Sequence, residues 1–250
     1  MQPITSQADT GLNRFFAKVY GYMGLGLAIS ALVSGLLLYV FQATMLNIMA
    51  NHSWVYYAAS FIEIALVYSV SSTAWKNNPM AMPLFLFYSA LNGFTLSFIL
   101  AAYSQTNVFA AFVTATLTFF AMAVIGLVSK RDLSGMAQAF RMVLLGVLIA
   151  SLINIFLRSA GLSYVMSLVM VVIFAGLTAY DNQRIRQAYQ QSGGQVSNGW
   201  AISMALSLYL NFINLFLSIL RIFAWRSFFF LKKRQSFGII RANVCNTQTS

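Results

Sequence analysis

The chain has 250 residues, 60% of them hydrophobic and 8% charged, with a formal net charge of +11 and a mean hydropathy of +0.75. Soluble domains carry roughly 25% charged residues, so this composition excludes a globule with a polar coat. In so apolar a chain the basic excess reads as loops facing anionic lipid, not as a nucleic-acid surface.

The apolar residues fall in continuous runs rather than alternating ones. Such runs suit helices of ~20 residues crossing ~30 Å of hydrocarbon, not the strands of a barrel. Residues 1–18 are a polar, cytoplasmic N-terminal segment, with Arg14 and Lys18 just ahead of the first run. That run is too long for a signal h-region and has no convincing cleavage site, so it reads as an uncleaved span. Spans are expected at 19–42, 54–75, 80–103, 107–128, 138–157, 163–182 and 200–224. The chain is thus expected to be an all-α polytopic membrane protein with one seven-helix domain, 19–224, and a basic C-terminal tail, 225–250.

Polar breakers separate the spans in order. Asn51-His52-Ser53 precedes the second, and Lys76-Asn77-Asn78-Pro79 ends it. Ser104-Gln105-Thr106-Asn107 divides the third from the fourth. Lys130-Arg131-Asp132-Leu133-Ser134-Gly135 follows the fourth, and Arg158-Ser159-Ala160-Gly161 the fifth. Arg184 to Gly199, with its glutamines and Gly193-Gly194, reads as a mobile loop. No convincing internal repeat supports an inverted-repeat transporter.

Charge orients the bundle. With the N-terminus inside, the inner segments hold Arg14, Lys18, Lys76, Lys130, Arg131, Arg141, Arg184 and Arg186, and the outer loops hold only Arg158. That bias favours N-inside. The tail opposes it: Arg221, Arg226, Lys232, Lys233, Arg234 and Arg241 would lie outside. Either the tail is translocated despite its charge, or the last apolar segment is re-entrant. Because the first helices usually dominate orientation, seven spans are retained. Phe228-Phe229-Phe230-Leu231, ahead of Lys232-Lys233-Arg234, suits a lipid surface.

The inventory removes several chemistries, and no enzyme activity or cofactor is expected. Cys245 alone makes no internal disulfide and reads as an ordinary tail residue. His52, the one histidine, rules out bis-histidine haem and histidine-rich metal sites. There is no H-E-x-x-H, no G-x-S-x-G followed by a histidine and no P-loop. Every lysine lies at a helix end or in a loop, so seven spans do not make a retinal protein. Val19-Tyr20-Gly21-Tyr22 is discounted as an ion filter because it opens an ordinary apolar helix.

Ionisable groups within lipid are costly, which makes them functional candidates. Glu63, Arg141, Asp181 and Arg221 lie in spans or at their ends, and Glu63 is the deepest. The chain has only four carboxylates, and two of them are Glu63 and Asp181. Glu63 reads either as a structural acid, protonated or paired, or as part of a cation path. Asp181 reads either as a helix-end residue in interfacial water or as a functional acid. Asn92, Asn154, Asn211 and Asn214 suit interhelical hydrogen bonds, with Asn211 equally suited to an aqueous path. Gly24, Gly26, Ala28 and Ser30 suit close helix packing.

Four ordered segments resemble one family. Leu177-Thr178-Ala179-Tyr180-Asp181-Asn182-Gln183 is similar to the L-T-A-Y-D-T-Q signature of the Bax inhibitor-1, or TMBIM, proteins. Tyr88 to Ser97 is similar to the family's third-span motif, and Ser129 to Ser134 to its fourth-to-fifth loop. Leu206 to Phe216 is similar to its last-span motif with one change. The resemblance runs from about Phe15 to Phe223 and points to a bacterial, inner-membrane member.

That resemblance implies six helices around a central seventh. It also implies a pH-sensitive calcium leak in which two aspartates share a proton and hold a cytoplasmic-side gate closed. Asp181 falls on the first aspartate; Asn211 stands where the second is expected. The family's acid in the second span maps to Glu63, so Asp181 and Glu63 are the candidates for transient calcium contact. The arginine expected to latch the first aspartate has no counterpart at Ser72, Thr73, Ala74 or Trp75, with Lys76 following. The tail beyond Ala224 also departs from the pattern. An Asp–Asn pair lacks the like-charge coupling of two carboxylates, and an amide oxygen is a weaker calcium ligand. Two further readings remain at this stage: a non-transporting modulator of a membrane protease or other membrane-protein partner, and a proton-coupled carrier. Flux measured in liposomes separates them from a leak.

Overall fold

The structure is a computed structural model that describes residues 4–52 and 54–247, with side chains described from 10 to 225 apart from Ser53. Eight helices follow in order: α1 (Ile4–Gly35), α2 (Gln42–Asn51), α3 (Trp54–Trp75), α4 (Ala81–Leu100), α5 (Gln105–Val128), α6 (Ser134–Leu157), α7 (Ala160–Gln191) and α8 (Asn198–Thr247). A π-helical segment, Leu36–Val40, prolongs α1. All but α2 are long and apolar enough to cross a membrane, which makes seven candidate spans. The expected all-α fold is therefore borne out.

The spans run alternately up and down. One end of the bundle collects the start of α1 and the α3–α4, α5–α6 and α7–α8 turns; the other holds α2 and the α4–α5 and α6–α7 turns. The apolar window of α8 is 78% buried, against 6% for that of α6. The last span packs against α1, α3, α4, α5 and α7, so it is the centre of the bundle. The outer faces carry exposed apolar side chains such as Phe61, Tyr68, Phe109 and Phe156, as lipid contact requires.

Local sequence sets the helix ends. Ser104 caps α5 by accepting from the Asn107 amide at 3.3 Å, and Ser159 caps α7 through the Leu162 amide at 3.3 Å. Such caps satisfy amides that a helix start leaves open. Asp132 accepts from the Ser134 amide and hydroxyl at 2.9 and 2.8 Å. These bonds hold its exposed carboxyl below the usual carboxylate range.

Helix ends differ from the ends of the apolar runs. α1 begins at Ile4 and passes residue 18 without a break. Phe15 is buried, with its ring 5.7 Å from Tyr189 and 6.0 Å from Trp200. Arg184 to Gly199 is not a long loop. Ile185 is fully buried and Arg186 donates to the Leu127 carbonyl at 2.5 Å, so packing carries α7 on to Gln191. The turn is left with 192–197, where Gly193 and Gly194 take the left-handed conformation that stops a helix (φ 60° and 84°). The short helix α2 was not expected from the sequence at all. Of the four small residues in the first span, Gly26 faces Phe85 and Ser89 and Ser30 is buried. Gly24 faces open space and Ala28 is exposed.

α8 shows no break between 198 and 225, which disfavours a re-entrant last segment. The basic tail side chains Arg226, Lys232, Lys233, Arg234 and Arg241, the Phe228–Leu231 run and Cys245 lie outside the described side chains, as does Ser53.

Candidate functional site

The central helix carries two polar clusters. Ser207 and Asn211 are four residues apart and share one face of α8, while Tyr209 points to the opposite face. The first face meets Asp181 and the second meets the Glu63 region.

Asp181 projects from α7 into its contact with α8 and is only 5% exposed. One carboxylate oxygen, Oδ2, accepts from Ser207 Oγ at 2.5 Å and from Asn211 Nδ2 at 2.8 Å. Arg184 and Arg141 bring positive charge toward it. Arg141 stands over the Tyr180 ring at 5.6 Å, and Arg184 over the Trp200 ring at 5.9 Å. A buried carboxylate needs such donors and counter-charges. The positive charge near Asp181 thus comes from α6 and α7 rather than from the second span.

The next two residues reach elsewhere. Asn182 accepts from Tyr20 of α1 at 2.7 Å. Gln183 donates to the Arg131 carbonyl at 2.7 Å and accepts from the Leu133 amide at 2.9 Å, tying down the α5–α6 turn. Asp181, Asn182 and Gln183 therefore join α7 to α8, to α1 and to a turn. The same end is closed further by Asn77, which accepts from the Gly199 amide at 2.9 Å, and by Lys18, which donates to Asn198. Gly126 of α5 permits this packing: a Cβ there would lie 2.0 Å from the Ala179 carbonyl oxygen.

Glu63 is half-buried in α3 and accepts from Thr95 at 2.6 Å and from Asn92 at 3.4 Å. Asn92 in turn accepts from Tyr209 at 2.7 Å. The Tyr209 hydroxyl lies 2.6 Å from Ser30 Oγ, which donates to the Ser89 carbonyl at 2.7 Å. This chain of polar groups crosses from α3 through α4 and α8 to α1. Such networks are high-stakes in a low dielectric, because each member depends on its neighbours.

The expected pair Asp181 and Asn211 is thus in direct contact, whereas Glu63 belongs to a separate cluster and shares no hydrogen-bond partner with Asp181. Among the described residues no group of three or more His, Cys, Asp or Glu comes together. A resident calcium takes 6–8 oxygens, and neither Asp181 nor Glu63 stands in a cluster of acids that would supply them. Asn154 and Asn214 have local roles: Asn154 spans the α6–α7 turn to Ser163 at 2.7 Å, and Asn214 bonds back to the Leu210 carbonyl. Sequence reasoning missed Ser207, Thr95, Tyr209 and Gln183. The signals were Ser207 and Asn211 at i, i+4, and hydroxyls embedded in two motif segments.

Fold and site together define a multi-pass membrane protein with a buried acid, Asp181, held against a central helix. A family model described as "Inhibitor of apoptosis-promoting Bax1" matches residues 12–228, and the chain belongs to that family, the Bax inhibitor-1 family. It is 55% identical over 220 residues to an uncharacterized membrane protein of Streptococcus pyogenes serotype M1, covering 88% of this chain and 96% of the relative. It is 48% identical to the uncharacterized protein YrjE of Lactococcus lactis, covering 88% and 94%. It is 35% identical over 224 residues to the inner membrane protein YbhL of Escherichia coli K12, covering 88% and 95%. These relatives and the seven apolar helices make it a multi-pass protein of the inner, or plasma, membrane. The family match stops at 228, so most of the tail lies beyond it.

Proposed function

We propose that the chain is a passive leak for calcium or a similar cation, gated at the Asp181 cluster, with Asn211 altering the family's paired-aspartate sensor. The observation that carries this reading is the buried Asp181 carboxylate, held by Ser207 and Asn211 of the central helix beside a turn-locked end of the bundle. Breaking the α7–α8 contact there would loosen the helix against which α1, α3, α4, α5 and α7 pack. Glu63, on the other side of α8, is the second acid a cation would meet.

The test is calcium influx into liposomes holding the purified protein, with protein-free liposomes as background. A leak gives influx that rises linearly with the gradient and changes with Asp181→Asn. No influx above background, with the protein folded and inserted, would overturn the leak and leave the non-transporting modulator. Influx that saturates would indicate a carrier.

A further inference from the structure

The α6–α7 turn closes over a cavity of about 410 Å³, within the roughly 300–1,000 Å³ typical of ligand pockets. Its mouth is set by Arg158, which ends α6 in the left-handed conformation (φ 49°), and by Arg221 of α8. Asn154 and Ser163 line its middle, and Val147 and Met170 its inner end. Asn154 is fixed on both sides, donating to Ser163 at 2.7 Å and accepting from the Ser159 amide at 3.1 Å. Among the described residues no side-chain carboxylate lines this cavity. Two guanidinium groups therefore share a mouth with no acid to balance them, and both belong to no part of the Asp181 or Glu63 clusters.

The cavity is graded from cationic to apolar along the membrane normal. From Ala160 at the turn to Met170 is ten residues, about 15 Å of helix at 1.5 Å per residue. That is about half of the ~30 Å hydrocarbon thickness, the depth of one leaflet. The Tyr164 and Trp225 rings stack at 4.3 Å near the same end, where aromatic residues mark the interface. Guanidinium forks match the oxygens of a phosphate, and the apolar depth matches a hydrocarbon chain.

We propose that this cavity binds an anionic phospholipid, with the headgroup phosphate between Arg158 and Arg221 and one acyl chain against Val147 and Met170. A free phosphate would satisfy the arginines but leave the apolar end empty, so the lipid is the better fit. With the N-terminus inside, the lipid comes from the outer leaflet.

Native mass spectrometry of the purified full chain tests this, using phosphatidylglycerol and phosphatidylcholine of identical acyl chains, and inorganic phosphate as a separate arm. Wild type is expected to retain one phosphatidylglycerol about tenfold in preference to phosphatidylcholine, the equivalent of about 1.4 kcal/mol. Arg158→Gln with Arg221→Gln should abolish that preference. Ser163→Phe, a plug at an exposed position, should block retention with both arginines intact, and it serves as the test if the double variant does not fold. Equal retention of the two lipids by wild type, or retention that survives the plug, would overturn the proposal. So would thermal stabilisation by inorganic phosphate with none by phosphatidylglycerol, which would make a soluble anion the ligand.

Discussion

Asp181, Asn182 and Gln183 are neighbours in sequence, yet each holds a different part of the bundle. The Asp181–Asn211 contact could be anticipated because both residues stand in recognisable motifs, and their bond of 2.8 Å follows. Ser207 and Tyr209 could not, because a hydroxyl in an apolar helix bonds its own backbone as readily as a neighbour, and only the placement of α8 decides which. Glu63 was legible from depth alone, since an acid there must be paired, hydrated or protonated. Its partners Thr95 and Asn92 emerge only from the α3–α4 packing. Glu63→Gln keeps an acceptor for Thr95 and removes the charge. It is expected to cut calcium influx about tenfold, a barrier change of about 1.4 kcal/mol, while stability in detergent shifts by less than ~1 kcal/mol. Unchanged influx with equal or greater stability would make Glu63 a purely structural acid. Asp132, held below the usual range by Ser134, stabilises the start of α6 above its unfolded pKa of about 4. That contribution is lost only as pH falls through its lower folded value. It is therefore expected to stay charged between about pH 5 and 8.

At the scale of the helices, the apolar runs located all seven spans because lipid leaves little choice of structure. The ends were less legible. α1 and α7 run past their most apolar stretches: the Phe15 ring of α1 packs on Tyr189 of α7 and Ile185 is buried, and hydropathy carries no record of such packing. Close approach was only partly legible: Gly26 and Ser30 of α1 do meet α4 closely, but the tight α5–α7 contact at Gly126 was not anticipated. Gly126→Ala sets a methyl against the Ala179 backbone, which cannot rotate away. Overpacking of this kind costs about 1–3 kcal/mol, so a thermal melt in detergent should show a midpoint lower by several degrees. The displaced stretch is two residues from Asp181, so the pH profile of influx should shift as well. A midpoint equal to wild type would mean that the two helices are not in this register.

For the whole molecule, loop charge and span count together predict an inside N-terminus and an outside C-terminus, against the tail's own basic charge. A C-terminal reporter active only in the cytoplasm should therefore be silent, while the same reporter at the N-terminus works. Full C-terminal activity would mean that α8 does not cross. The central position of α8, expected from the family resemblance and seen in its burial, places Asp181 and Glu63 on either side of a single helix. Any gate built there moves with the core of the bundle. The most direct measurement is calcium influx into liposomes from about pH 5 to 8, where a perturbed carboxyl titrates, for wild type, Asp181→Asn and Asn211→Asp, with His52→Gln as a control. The account predicts a shallow pH dependence in wild type that Asp181→Asn removes, that Asn211→Asp makes steep by restoring a second coupled acid, and that His52→Gln leaves unchanged. A steep wild-type profile indifferent to both Asp181→Asn and Asn211→Asp would place the sensor elsewhere and contradict a gate at Asp181.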